Sequence, residues 1–399
     1  MKIPITIIGF AARIISAFIP VQKKHWIFGA DYGNMYREGP KYLLEYMIRH
    51  HTDYKCTFIT RNKDVKKSLD AKNIPCLLNY SLAGIIQIAK AEAVFTSQVM
   101  SDVQFAYKKK GRKHYYLVHG QPLKLALFAA SDTYLKKINR DYHFLNVLWK
   151  KICNFLSVGV DLQDCSFVSA SSDFLKQYME KDFGFKVPVK VLGMPRNDAL
   201  FDVERMLNEK WINGLEGKFV VTYMPTHRAY GQGDVTPTPF INKPEYQQWM
   251  KENNVVFLMK NHPNMIPKLK NAPNTDVIKD ITKDRLDPQV CLYHTDVLVT
   301  DFSSVWMDFL MLKRPVIFYI YDNFEQEDAG AHYDIREDPP GHFCYDEDAF
   351  FNLIKKAREK YDCMKPSQHI IEKYHKYPDG NSCERYYKAV VSDIKQNEY

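Results

Sequence analysis

Three short apolar runs in the second half of the chain each end in residues suited to phosphate chemistry. Phe219–Met224 runs into Pro225-Thr226-His227-Arg228, Val255–Met259 into Lys260-Asn261-His262-Pro263, and Val297–Thr300 into Asp301-Phe302-Ser303-Ser304. Arginine offers a planar fork and lysine a point charge to phosphate oxygens. The helical pattern after Asp301 adds free backbone N–H groups and a helix dipole at the two serines, either of which can cap that helix. The serines read as phosphate ligands, since neither has a neighbouring base in sequence. Asp301 and Asp308 are not spaced as a two-metal pair, so Asp301 reads as a group that shapes the turn or orients a cation.

The first half has one comparable constellation. Tyr115–Val118 leads into His119-Gly120-Gln121-Pro122-Leu123-Lys124. A histidine at a strand end, followed by glycine, presents an imidazole whose ordinary pKa suits a general base near neutral pH. Gly193-Met194-Pro195-Arg196-Asn197-Asp198 brings a further guanidinium, either toward the same region or into a local pair with Asp198.

Strand–helix alternation must position these groups. One series of runs lies at Trp26–Phe28, Cys56–Ile59, Ala93–Phe95, Tyr115–Val118, Phe167–Val168 and Val189–Leu192. A second lies at Phe219–Met224, Val255–Met259, Val297–Thr300 and Val316–Tyr319. Short β-branched runs separated by helix-length segments predict parallel, doubly wound sheets, in which ligands bind beyond the carboxyl ends of the strands. The expected division is a segment 1–24, a Rossmann-like domain over 25–210 and a second over 211–380. A last helix over 381–399 is expected to return to the first domain.

The 399 residues carry a net charge of +8, which favours phosphorylated ligands or an anionic membrane over acidic partners. No zinc knuckle, RNP motif or basic-region helix marks a nucleic-acid reader. Eight scattered cysteines without a C-x-x-C suit a reducing compartment, and no metal site is legible in them. Residues 1–20 are almost wholly apolar, with Lys2 and Arg13 their only charges. They are short for a bilayer span and lack a signal-peptidase site, so an in-plane helix is expected, with Arg13, Lys23 and Lys24 near headgroups. The competing expectation is a buried first helix. Aromatic and basic residues interleave again over 125–160, and Lys108–Lys113 would add attraction to anionic lipid.

The motifs His119–Lys124, Gly193–Asp198, Pro225–Arg228, Lys260–Pro263, Thr300–Ser304 and Asp379-Gly380-Asn381-Ser382…Arg385 together resemble the CDP-glycerol glycerophosphotransferase family of teichoic-acid synthesis. The resemblance runs in order from Trp26 to Arg385. It implies a GT-B-type α/β fold, two Rossmann-like domains facing a cleft, and peripheral attachment to the cytoplasmic face of the membrane. It further implies a CDP-glycerol donor and a lipid-linked (undecaprenyl-diphosphate disaccharide) acceptor. His119 is then the base for the acceptor hydroxyl, with Gly120, Lys124 and Arg196 on the acceptor side. His262 binds or protonates the donor pyrophosphate. Thr226, Arg228, Lys260, Asp301, Ser303, Ser304, Ser382 and Arg385 hold donor phosphates.

This chain departs from the family pattern at Gln121 (usually Thr), His227 (Trp) and Phe302 (Tyr). Arg37-Glu38-Gly39-Pro40 stands where Asp-Asn is common. Nothing in the sequence demands a metal or a further cofactor, Mg²⁺ being at most an assay component. Length favours a primase adding one glycerol phosphate over a glycerol or ribitol phosphate polymerase. A sugar-nucleotide glycosyltransferase or 2-epimerase of the same fold is the reading from another class. Its usual Gly-Gly-Glu donor loop is replaced here by Asp301–Ser304. Apolar surface left by the membrane-facing segments would also suit a homo-oligomer.

Overall fold

In the computed structural model, which describes residues 5–125, 160–209, 211–226, 243–261, 275–284, 286–321 and 330–396, the apolar runs become parallel strands. By contacts the chain divides into two units, one of residues 1–121, 126–198 and 379–399 and one of residues 122–125 and 199–378.

The sheet of the first unit contains β1 (His25–Phe28), β2 (Lys55–Thr60), β3 (Cys76–Leu78), β4 (Ala93–Thr96) and β5 (Lys113–Tyr116) in the order β3-β2-β1-β4-β5. All its pairings are parallel. The helices α1 (Ile5–Phe18), α2 (Glu38–His50), α3 (Lys63–Ala71) and α4 (Leu82–Lys90) belong to this unit. A two-stranded parallel sheet of β6 (Val168–Ala170) and β7 (Val189–Val191) flanks α5 (Asp173–Asp182). β1 and β4 are buried along their whole length, as strands covered on both faces must be. Ile27, Ile59, Ile88, Val94 and Val103 form the core beneath them.

The second unit orders its sheet β10-β9-β8-β11-β12-β13. Its strands are β8 (Phe219–Tyr223), β9 (Val255–Met259), β10 (Ile278–Asp280), β11 (Val297–Thr300), β12 (Val316–Tyr319) and β13 (His342–Cys344), again all parallel. The helices α6 (Val203–Asn208), α7 (Pro244–Glu252), α8 (Pro288–Tyr293), α9 (Val305–Leu310), α10 (Glu347–Glu359) and α11 (Gln368–Tyr374) complete it. Phe257, Phe350, Phe351, Ile317 and Tyr319 fill the core against α10. In both sheets the order reverses beside the first strand, at β1/β4 and at β8/β11, and such switch points are where doubly wound folds open a crevice.

Three findings depart from the sequence expectation. The edge strands β3, β10 and β13 carry no long apolar run, because three residues at a sheet edge need little burial. The contacts divide the chain after Asp198 rather than near residue 210, and Pro122–Leu125 groups with the second unit. There Lys124 bridges Ala331, Leu125 N–H donates to the Gly330 carbonyl at 3.0 Å and His332 N–H to that of Leu123 at 2.9 Å.

α1 is partly buried. Ala12 and its neighbours pack on Ile85, Phe105 and Tyr107, while Ile7, Phe10, Ile14 and Phe18 face outward. Arg13, expected near headgroups, lies instead over the Tyr107 ring at 4.8 Å. The basic run has inward tasks too. Lys109 donates to the carbonyls of Ser16 and Ile19 at the end of α1, and buried Arg112 donates to those of Ile88, Ala89 and Ala91 at the end of α4 and to that of Tyr107. The aromatic–basic stretch 126–159 lies outside the described residues. Among the described residues, no helix is long and apolar enough to cross a membrane.

Candidate active site

At the switch point of the second unit, the ends of β8 and β11 are joined by side chains. Thr300 Oγ1 donates to the Met224 carbonyl at 2.7 Å. Two residues on, the backbone N–H and hydroxyl of Thr226 donate to Asp301 Oδ1 at 2.8 and 2.6 Å. Asp301 is buried, so its carboxylate fixes the exit of β8 relative to the turn that carries Ser303 and Ser304. That is the turn-shaping role expected of it.

Ser303 and Ser304 are half-buried beside this turn. Ser304 occupies the N-cap position of α9 in a helical backbone conformation, and its side chain makes no capping bond. The expected cap is therefore absent at Ser304, because a capping hydroxyl needs extended backbone to reach back to the first turn. Lys260 follows β9, its N–H bonded to the Tyr223 carbonyl at 2.9 Å. It is buried and makes no ion pair among the described residues. Burial pushes the Cys291 thiol up to about 12, and the Lys260 charge works against that shift. Thr226, Lys260, Asp301, Ser303 and Ser304 thus share the carboxyl rim of one sheet. Arg228 and His262 lie outside the described residues.

In the first unit, β4 and β5 are paired to their ends, with Leu117 N–H donating to the Thr96 carbonyl at 2.7 Å. His119 follows two residues later. Its side chain reaches solvent, yet desolvation by the protein atoms around it is the main cause that lowers its pKa below 6.5. Arg196 and Arg37 push the same way, while Glu38 and a backbone hydrogen bond with Ser97 oppose them. The result is a histidine that is neutral, and so able to accept a proton, at pH 7.

Two contacts hold the turn around it. Arg196 Nη1 donates to the His119 carbonyl at 2.6 Å, which ties its guanidinium to the histidine's own backbone. Gln121 is buried, accepts from Ser171 N–H at 2.9 Å and lies 2.8 Å from the Met194 sulfur, fastening the half-buried Gly120 turn to the β6 side.

Ser382 and Arg385 are placed differently from the expectation. They belong to the first unit, at the start of α12 (Ser382–Gln396). Asp198 accepts from Ser382 N–H at 2.8 Å and from Cys383 N–H at 2.7 Å. Arg385 closes a bidentate pair on Asp379 at 2.8 and 2.9 Å, and its Nε donates to the Leu192 carbonyl. Gly193 completes the joint: at φ +81°, a Cβ there would stand 2.4 Å from Ser382 Oγ. Gly193, Asp198, Asp379, Ser382 and Arg385 thus meet at the start of α12, and Lys124 belongs to the second unit's β-bridge.

A family model described as CDP-glycerol:poly(glycerophosphate) glycerophosphotransferase matches residues 11–392. The chain belongs to this family. It is 24% identical to the teichoic acid glycerol-phosphate transferase of Staphylococcus aureus over 90% of each chain. It is also 24% identical to the teichoic acid poly(glycerol phosphate) polymerase of Bacillus subtilis, over 88% of this chain and 45% of that one, so it spans about half of that relative's length. A solved structure of the wall teichoic acid polymerase TagF shares the fold, with a TM-score of 0.73 at 18% identity over 97% of this chain and 94% of that one.

Sequence reasoning missed several members of the first unit's rim. Asp102 is fully buried and accepts from Tyr32, Ser97 and Gln98 N–H at 2.7–2.9 Å. Burial raises its pKa to about 6 against those bonds. It ties the β1 and β4 exits together much as Asp301 ties β8 and β11. Glu38 at the start of α2 was visible only as a departure from the family pattern. Among the described residues, no group of three or more His, Cys, Asp or Glu side chains is placed to hold a metal ion.

Proposed function

We propose that the protein transfers glycerol phosphate from CDP-glycerol to a hydroxyl of a lipid-linked acceptor, one unit per acceptor, at an anionic membrane surface. The observation that carries this reading is the rim of the second unit, where Thr226–Asp301, buried Lys260, Ser303 and Ser304 gather at the switch point of a parallel sheet. Such a rim suits a pyrophosphate: Lys260 supplies charge, the serines supply donors, and Arg228 and His262 follow on the same strand exits.

The reaction balances without a covalent intermediate. His119 takes the hydroxyl proton as the acceptor oxygen bonds to the β-phosphorus. The bond from that phosphorus to the bridging oxygen breaks, and CMP leaves with the electron pair. His262 and the cationic groups stabilise the charge developing on CMP. The low pKa of His119 supports the base role, because the imidazole is unprotonated at neutral pH. α1 is the proposed membrane contact, since its outward stripe is apolar.

Incubation with CDP-glycerol and a synthetic lipid-linked disaccharide, read by CMP release and product mass spectrometry, tests the reading. One added glycerol phosphate supports it, and a ladder of units replaces single addition by polymerisation. No CMP release, with calorimetric binding of a UDP-sugar instead, discards it.

A further inference from the structure

We propose that Glu38 is a positioning residue for His119, its carboxylate stabilising the imidazolium formed when His119 takes the acceptor's proton. The inference rests on the reading of His119 as the base. Several features of α2 place the carboxylate there. Glu38 opens the helix at φ +61°, an uncommon conformation for a residue with a side chain and one often found at functional sites. The next residue, Gly39, lies so close to β5's exit that a Cβ on it would stand 2.9 Å from the Leu117 Cβ. The first turn of α2 therefore meets the chain two residues before His119.

Gln98, whose carbonyl accepts from the Tyr116 hydroxyl at 3.1 Å, donates through Nε2 to Glu38 Oε1 at 3.2 Å. Arg37 hydrogen-bonds to Asp31 at 2.5 Å and forms an ion pair with Glu38, its Nε 3.6 Å from Oε1, without a hydrogen bond. Glu38 Oε2 is buried and has no hydrogen-bond partner among the described residues. A half-buried carboxylate with one oxygen held by Gln98 and the other without a hydrogen bond has acceptor capacity left for a further positive charge that arises beside it. The charged groups acting on His119 are Glu38 and Arg37 from α2 and Arg196 from the segment after β7. Of these, Glu38 alone favours the protonated ring. Glu38 takes no part in the proton transfer; it acts on the stability of the charged histidine.

The test is Glu38→Gln, which keeps the shape and a partner for Gln98. Histidine hydrogen–deuterium exchange read by mass spectrometry reports the titration midpoint of His119 in the full chain without any turnover. The midpoint should fall by about one pH unit. With CDP-glycerol and lipid-linked acceptor, kcat should fall roughly 10- to 100-fold with little change in KM, and the acid limb of the rate profile should move down with the midpoint. Glu38→Asp keeps the charge and should recover most of the wild-type midpoint, which also serves if the Gln variant misfolds. An unmoved midpoint in E38Q, or a Gln-like midpoint in E38D, overturns the proposal whatever the activity. A shifted midpoint in a protein that transfers nothing from CDP-glycerol leaves the pair standing and removes the transferase reading.

Discussion

The guanidinium of Arg196 donates to the backbone carbonyl of His119 at 2.6 Å while its charge lowers the pKa of the same residue's imidazole. One side chain therefore fixes where the histidine sits and adds to the desolvation that disfavours its charged form. Arg196→Met should raise the His119 titration midpoint, opposite in sign to Glu38→Gln. It should also cost about 1–3 kcal/mol of stability through the lost charged hydrogen bond. CMP release should drop, and the loss should grow as pH falls, because more of the variant's histidine is protonated at any acid pH. Exchange mass spectrometry and urea unfolding read the two effects separately, and a midpoint that stays put would separate Arg196 from the base.

Asp198 and Gly193 should control how firmly α12 is held. The Asp198 carboxylate bonds two successive N–H groups at the helix start, although burial raises its pKa against those bonds. Asp198→Ala should lower unfolding free energy by about 1–2 kcal/mol, as loss of a helix cap does. Gly193→Ala should cost at least as much, since it adds positive-φ strain to a Cβ lying against Ser382. Unfolding in urea followed by far-ultraviolet dichroism checks both. If Gly193→Ala proves neutral, the joint is looser than these contacts describe.

Much of this was legible beforehand, for identifiable reasons. The runs that became β1, β4, β9 and β11 are buried on both faces, so burial demanded contiguous apolar residues that a sequence displays openly. The positions of Lys260 and Asp301 at strand exits were legible because each stands directly after such a run. Arg196 was legible as a neighbour of His119, whereas the contacts of Ser382 and Arg385 were not, because a motif reveals which residue types occur together, not which carbonyl or carboxylate they face. Asp198 and Asp379, which engage Ser382 and Arg385, look like surface residues until the helix they hold is in place. Glu38 and Asp102 escaped notice because their roles arise where chain exits meet, a relationship set by topology rather than spacing.

Acid should destabilise the first unit through histidines buried in the neutral form. Burial first, then nearby cations, lowers His25 to about 4 and His114 to about 3. Both fall below the ordinary 6.5, so the unfolded chain takes up protons that the folded chain refuses. Their contribution is intact above pH 6.5 and is lost as pH falls from 6.5 toward 4 and 3, by about 3 kcal/mol or more for each. Asp102 acts oppositely: its raised pKa lends stability as pH falls from about 6 toward 3.8. Asp198, also raised by burial, acts the same way, but His51 and His119 are lowered alongside His25 and His114, so net stability should decline below pH 6. His114→Leu should flatten that decline in urea unfolding series at graded pH. An equally steep decline would place the acid-sensitive groups elsewhere.

The outward face of α1 should bind lipid by burial more than by charge. Ile7, Phe10, Ile14 and Phe18 recur at helical spacing and are 61%, 61%, 46% and 83% exposed, while the opposite face is committed to the fold. Burying such side chains is worth roughly 1.5–3 kcal/mol each, enough together for stable partitioning. The nearby cations are largely occupied: Lys109 and Arg112 cap helices, Lys108 pairs with Asp164 at 2.5 Å and Lys24 with Asp53 at 2.6 Å. Co-sedimentation with anionic vesicles should therefore persist when salt shortens the Debye length to about 3 Å at 1 M, where binding by a basic run would fail. Phe10→Ser with Phe18→Ser should weaken sedimentation at least ~10-fold without lowering the unfolding midpoint, because neither ring is packed in the folded protein. Binding that vanishes in salt, or survives the double variant, would move the membrane contact away from α1.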